Sequence, residues 1–407
     1  MSQAVEGAES SPFSVENLPY GVFTEGASAH RRLGVAIGDF VLDLATAARS
    51  TGLGSELAAL LGWPVLNPLM AAGTDAWAEI RTWLTGLLSD GGNAAAVAPH
   101  LHRRPDVMLH LPFDVADYVD FYSSEHHAAN VGRIFRPDSG ALPPNWRHLP
   151  IGYHGRSGTV VVSGTPVRRP WGQRQGPADR SPVFAPSSRL DVEAEVGIVV
   201  GVPSQLGEPV PIGRFADHVF GICLLNDWSA RDIQAFESAP LGPFLGKSFA
   251  TSISPWVVPL AALRHARRQP PPRQEPLQSY LADGEPWGLD LQLEVEWNGT
   301  LVSRPPFGGM YWTGAQQLAH MTVNGASLRT GDLYGSGTVS GAEAGERGSF
   351  LELCWNGEQP VRLDDGTERT FLADGDTVTI RGTAPGHGGS RIGLGEVTGR
   401  VLPARPG

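Results

Sequence analysis

Residues 189–201 read RLDVEAEVGIVVG, and the alternation of apolar and acidic side chains in this stretch decides the fold. In an extended chain successive side chains point to opposite faces. Leu190, Val192, Ala194 and Val196 therefore share one face, and Asp191, Glu193 and Glu195 share the other. A solvated outer face is the ordinary explanation of such a pattern. Here, however, the chain continues as an apolar run, so the strand enters the interior. Unpaired carboxylates there repel one another and are costly to desolvate. A hard cation resolves that conflict, and an oxygen-only ligand set suits calcium or magnesium, not zinc.

Similar patterns recur on both sides. GTVVVSGTPV from Gly158, LDLQLEVEW from Leu289, DTVTIRG from Asp376 and GEVTGRVL from Gly395 read as strands. In EVEWNGTLVS, Asn298-Gly299 reads as a hairpin turn, although Asn298-Gly299-Thr300 is formally a glycosylation sequon. Helical candidates are fewer, notably WSARDIQAFES and TGAQQLAHMTV. Nearer the start, residues 18–45 alternate short β-like runs with Gly turns, like the hairpins of a small barrel. From Ser55 to Leu88 apolar residues recur at helical spacing, broken at Pro64 and Pro68. The alanine-rich GGNAAAVAPHLHRRPD reads as a linker. We expect a mainly β (α+β) protein with an N-terminal domain over 1–112 and a second, larger domain over 113–407.

The 407 residues allow two such units. Acidic residues outnumber basic ones 42 to 31, for a net charge of -11, which disfavours a nucleic-acid or anionic-membrane partner. No apolar run approaches the roughly eighteen residues of a membrane span, and no leader opens the chain, so a cytoplasmic protein is expected. Cys223 and Cys354 both lie in apolar surroundings and read as reduced core thiols.

Familiar catalytic motifs fail. GPFLGKS (242–248) ends like a phosphate-binding loop but has one residue too few between its glycines. GSGTVSG from Gly335 misses the dinucleotide-binding spacing. H-E-x-x-H, G-x-S-x-G and C-x-x-C are all absent. What remains is a set of scattered polar groups. The apolar run FGICLLND delivers Asp227 as its last side chain, with Ser229 placed to cap the helix that follows. On that helix Arg231 and Gln234, three apart, share a face. Lys247 stands alone among apolar and small residues, either snorkelling or ready to stabilise negative charge. In DFYSSEHHAANVGRIFR (120–136), His126 and His127 are adjacent, so they diverge on any regular element and at most one faces a site.

DFYSSEHHAANVGRIFR, NWRHLPIGYHGR, LDVEAEVG, LLNDWSARDIQAFE, PLGPFLGKSFATSISPWVVP, GDLYGSGTVSG and DGDTVTIRG, in this order over nearly the full chain, resemble the fumarylacetoacetate hydrolase family. The resemblance implies a homodimer with an N-terminal SH3-like barrel and a C-terminal mixed β-sandwich roll. It implies a hydrolase acting on the carbon–carbon bond of 4-fumarylacetoacetate, giving fumarate and acetoacetate in the last step of tyrosine and phenylalanine catabolism. By the same resemblance Asp120, Glu193, Glu195 and Asp227 are calcium ligands. Asp227 with backbone oxygens of Lys247 and Thr251 forms a magnesium site. His127 is the general base and Glu352 its orienter, while Arg231, Gln234 and Lys247 stabilise the oxyanion. Tyr122, Arg136, Tyr153, Gln234 and Thr338 contact the small-molecule substrate. One position departs from the pattern: Ser238 stands where the family commonly has a substrate-contacting Tyr.

The nearest rival is an acylpyruvate or other β-diketone hydrolase of the same superfamily. Such members generally lack the long N-terminal domain, and the fourth acid, Asp120, also argues against them. A non-enzymatic scaffold has no use for His127, Glu352 and three oxyanion donors together.

Overall fold

A computed structural model of the protein describes residues 3–26, 28–136, 138, 140–176, 180–273, 275–282 and 284–406. The acid-bearing stretch is two strands, Leu190–Asp191 and Ala194–Val200, separated by Val192 and Glu193. The expected alternation holds through both. Leu190, Val192, Ala194, Val196, Ile198 and Val200 all enter one core, while Val199 packs into another.

Ala194–Val200 lies at the centre of an eight-stranded mixed sheet. Its order is Gly152–His154, Tyr118–Phe121, Leu333–Gly335, Ala194–Val200, Val219–Asp227, Thr251–Ile253 and Val160–Val162, with Val258–Pro259 pairing laterally on Val219–Asp227. Two joins are parallel, Leu333–Gly335 with Tyr118–Phe121 and Thr251–Ile253 with Val160–Val162. The central strands are buried on both faces, which accounts for their near-continuous apolar runs. On one face Ile222 and Leu224 share a core with Leu293, Trp297, Ile380 and Val397, residues of a second sheet of five strands. That sheet contains the expected hairpin: Gln292–Trp297 and Thr300–Ser303 are joined through Asn298 and Gly299, both at positive φ. On the other face Cys223 and Leu225 meet Val22, Leu33 and Val35 of an antiparallel sheet near the start of the chain. Burial pushes the Cys223 thiol up to about 12 and that of Cys354 up to about 11, so both stay protonated at neutral pH.

The N-terminal sheet has five strands in the order Leu101–Arg103, Phe40–Asp43, Arg32–Ile37, Tyr20–Glu25 and Val107–His110. Two details differ from the sequence reading. The alanine-rich stretch is not a linker: it forms helix Ala94–Val97 and edge strand Leu101–Arg103, and Val97 is fully buried. Alanine's high helix propensity produces the same composition as a flexible connector. Pro68 starts a helix, Asn67–Ala71, where its missing N–H costs nothing. No helix among the described residues is long and apolar enough to cross a membrane.

Candidate active site

Three chain segments deliver four carboxylates to one point. Asp120 comes from Tyr118–Phe121, Glu195 from Ala194–Val200, Asp227 from the end of Val219–Asp227, and Glu193 from just before its strand. All four are buried, and one oxygen of each lies within 4.8 Å of the others'. The sheet must come close to accommodate them. Gly335 pairs with Asp120, and a Cβ there would stand 2.6 Å from Glu195 Oε2 and 3.0 Å from Asp120 Oδ1. The backbone itself contributes: Gly337 N–H donates to Glu195 Oε2 at 3.0 Å.

Two cations answer this charge in part. Lys247 Nζ is 2.6 Å from Glu193 Oε2 and 2.8 Å from Asp227 Oδ2. Arg231 Nη1 is 2.7 Å from Glu193 Oε1. Burial disfavours charge on both, but the carboxylates outweigh it and hold both pKa values above their ordinary range. Burial also works against the ionised form of Glu193, yet Lys247 and Arg231 beside it carry its pKa below normal. Asp120 and Glu195 lie farther from these partners. Burial, reinforced by the neighbouring acids, pushes both well up, and Asp227 is raised for the same first reason against the pull of Lys247. Asp120 Oδ1 and Glu195 Oε1 are buried without a hydrogen-bond partner among the described residues. Orphaned buried oxygens in an oxygen-only cluster with surplus negative charge fit a divalent cation.

Both histidines lie on helix Glu125–Phe135, capped by Ser124, whose Oγ accepts from His127 N–H at 3.2 Å. His126 faces solvent, whereas His127 is buried with Nδ1 2.6 Å from Glu352 Oε2. A carboxylate only accepts, so Nδ1 is the donor, and in the neutral ring the lone pair then falls on Nε2. Glu352 also accepts from Asn130 Nδ2 at 2.9 Å, Ser349 Oγ at 2.8 Å and Ser340 Oγ at 3.0 Å. Burial alone would raise its pKa; His127 and these donors reverse the effect and hold it below the usual value. The ring of Tyr122 meets that of His127 edge-on at 5.4 Å.

The remaining residues gather less tightly. Tyr153 donates to Asp227 Oδ2 at 3.3 Å, and Thr251 Oγ1 to Asp227 Oδ1 at 3.4 Å. Gln234 Oε1 accepts from Arg231 Nη1 at 3.2 Å. Thr338 Oγ1 is buried without a partner among the described residues, one residue beyond the N–H that holds Glu195. Arg136 lies at the exposed C-terminal end of the His127 helix; burial, with Glu352 and Glu193, pushes the Tyr122 pKa well above its ordinary value, and Arg136 offsets this only in part. Ser238 turns its hydroxyl back onto the carbonyl of Gln234. Ser229 does not cap the Arg231 helix: it lies in a two-residue strand pairing with Leu190–Asp191, and its hydroxyl donates to the carbonyl of Asp227.

Sequence reading missed Asn130, Ser340 and Ser349. Two of them carried a signal, since Asn130 is one turn after His127, and Ser349 is three residues before Glu352 in a helix-capping pattern. It also grouped Asp191 with Glu193 and Glu195, but Asp191 stands outside the cage and binds Arg231 Nε at 2.8 Å.

Fold and site together define a class: an α+β protein that sets a carboxylate cage able to hold a divalent cation beside a histidine held by a buried glutamate. Residues 117–402 match the profile of the fumarylacetoacetate (FAA) hydrolase C-terminal domain, and residues 16–112 that of the fumarylacetoacetase N-terminal domain. The chain is 47% identical to the fumarylacetoacetase of Homo sapiens, with 98% of each chain covered. It is 46% identical to that of Caenorhabditis elegans over 99% of this chain and 100% of the relative, and 44% identical to that of Arabidopsis thaliana over 99% and 98%. Among solved structures, the fumarylacetoacetate hydrolase of Exiguobacterium antarcticum shares the fold at a TM-score of 0.55 and 17% identity, covering 95% of this chain and 100% of that one. Maleylpyruvate hydrolase from Sphingobium does so at 0.51 and 16%, with the same coverage. This chain belongs to the fumarylacetoacetate hydrolase family.

Proposed function

We propose that this protein hydrolyses the carbon–carbon bond of 4-fumarylacetoacetate, releasing fumarate and acetoacetate, as the last step of tyrosine and phenylalanine catabolism. The observation that carries the reading is the His127–Glu352 pair beside the four-carboxylate cage, in a chain matching fumarylacetoacetases end to end.

Breaking this bond needs a nucleophile, a home for the oxyanion and stabilisation of the departing carbanion. His127 Nε2, free because Nδ1 is committed to Glu352, takes a proton from water; the resulting hydroxide attacks the carbonyl carbon next to the bond to be broken. Glu352 stabilises the imidazolium that forms. Arg231 Nη2 is buried without a partner among the described residues, and Gln234, whose Oε1 is occupied by Arg231, keeps its amide N–H groups for substrate. With Lys247 they supply donors where oxyanion charge develops. As the bond breaks, its electron pair leaves as the enolate of acetoacetate, which recovers the proton from His127. A cation held by Asp120, Glu193, Glu195 and Asp227 would polarise the diketone oxygens and spread the enolate charge.

Calcium suits this cage, and magnesium a second position at Asp227 with backbone oxygens of Lys247 and Thr251, a reading supported by the strand register that pairs Thr251 with Asp227. Tyr122, Arg136, Tyr153 and Thr338 are the proposed substrate contacts. The reading also includes an SH3-like barrel over 1–112, a catalytic β-sandwich roll over 113–407, a homodimer and a cytoplasmic location. The five antiparallel N-terminal strands support the first of these.

The test is loss of the ultraviolet absorbance of 4-fumarylacetoacetate on adding purified protein, with and without chelator and with acylpyruvates as competitors. Decay abolished by chelator is expected. Hydrolysis of acylpyruvates alone would transfer the protein to the rival reading.

A further inference from the structure

Asp191 is a buried charge beside the site that the mechanism above does not use. Asp191 is fully inaccessible and lies outside the cage, yet its two oxygens accept four hydrogen bonds. Oδ1 accepts from the backbone N–H groups of Val192 at 2.7 Å and Phe350 at 2.8 Å. Oδ2 accepts from Leu351 N–H at 3.0 Å and Arg231 Nε at 2.8 Å.

These partners belong to two different arms of the site. Arg231 carries the guanidinium whose Nη1 reaches Glu193 and Gln234 and whose Nη2 is free for an oxyanion. Phe350 and Leu351 open the four-residue helix Phe350–Leu353 that carries Glu352. Phe350 is itself fixed by stacking on Trp297 at 4.1 Å, so this helix has little freedom once Asp191 holds its backbone. No direct hydrogen bond joins Arg231 to Glu352 among the described residues. Asp191 touches both arms with a single carboxylate.

We infer that Asp191 is a positioning residue that sets the oxyanion-binding guanidinium and the base-orienting glutamate in a single register. The inference rests on the functional reading above and deepens it. A charge is used here because the guanidinium needs an anionic partner on its Nε edge to keep its opposite edge toward substrate, and because one carboxylate can accept from both segments at once. Both arms act on charge that develops during reaction, so misplacing them lowers turnover and leaves substrate binding nearly intact.

The experiment compares wild type, Asp191→Asn and Asp191→Glu with 4-fumarylacetoacetate at saturating calcium, with folding checked by circular dichroism. A second pair of comparisons adds Arg231→Lys and Glu352→Gln, each alone and combined with Asp191→Asn. Asp191→Asn is expected to lower kcat by about ten- to a hundredfold, the scale of a misplacement near 1 Å, with KM changed by less than about twofold. Asp191→Glu keeps the charge but moves it by one methylene, and should also lose at least about tenfold in kcat. In both double variants the second change should cost less than it does alone, because the first has already released that arm. A folded Asp191→Asn with wild-type kcat, or additive losses in both combinations, overturns the inference. So does failure of both Asp191 variants to fold, which would make the role structural. Wild type that does not turn over the substrate overturns the functional reading instead, so the two failures are distinct.

Discussion

The protein buries carboxylates in two neighbouring places and treats them in opposite ways. Around Glu352, a histidine, an asparagine amide and two serine hydroxyls surround one carboxylate, and its pKa falls despite full burial. In the cage, four carboxylates share Lys247 and Arg231; two oxygens are left without a donor, and Asp120 and Glu195 are pushed well up. The first site is complete within the chain. The second is short of positive charge, and that shortage fits it for a divalent cation from outside.

Removing the cation should therefore damage one site and spare the other. Chelation is expected to cost on the order of a thousandfold in turnover, several kcal/mol of transition-state stabilisation, reversed by adding calcium. Full activity in excess chelator would erase the distinction. Next in size, His127→Ala should fold and bind cation with wild-type affinity by calorimetry, yet lose at least about a hundredfold in kcat. His126→Ala, on the solvent side of the same helix, is its control, and equal losses in the two would defeat the assignment.

Gly335→Ala breaks the cage from behind. Its new methyl would press on Glu195 and Asp120, costing roughly 1–3 kcal/mol in stability and about ten- to a hundredfold in cation affinity, with the His127–Glu352 pair intact. The smallest effect is one of pH. Glu352 has a folded pKa below its ordinary 4.5, so its contribution to stability is fully present above that value and fades as pH falls through the depressed one. Denaturant titrations of wild type and Glu352→Gln should show a stability gap that is flat near neutrality and narrows in acid. A gap that widens toward acid would contradict the sign.

How much of this was legible in the sequence follows from the range of the forces involved. Periodicity is local, so the alternation of Leu190 to Val200, the Asn298-Gly299 turn and a helix within TGAQQLAHMTV all appear as expected. The cage was half legible. Three acids on one face signalled a cation, and the family resemblance added Asp120 and Asp227, but only the tertiary structure shows that Asp191 is held by Arg231 outside the cage. Residues 191 and 193 both reach Arg231, but across the break between Leu190–Asp191 and Ala194–Val200 only Glu193 joins the cage. Ser229 was misread because its hydroxyl found the carbonyl of Asp227 first, a competition between local partners that composition does not resolve. The alanine-rich segment was misread because the need of a sheet edge for a partner strand is not written in that segment itself.

The spacing of the cage along the chain has a kinetic side as well. Asp120 and Asp227 are far apart in sequence, and the strands that bear them sit in one sheet only after Ala194–Val200 and Leu333–Gly335 have come between them. A cation gripped by all four acids ties those segments together in the folded protein and cannot do so in the open chain, so it slows escape from the native state. Cation supply would thus govern how long each molecule survives proteolysis, apart from how fast it works.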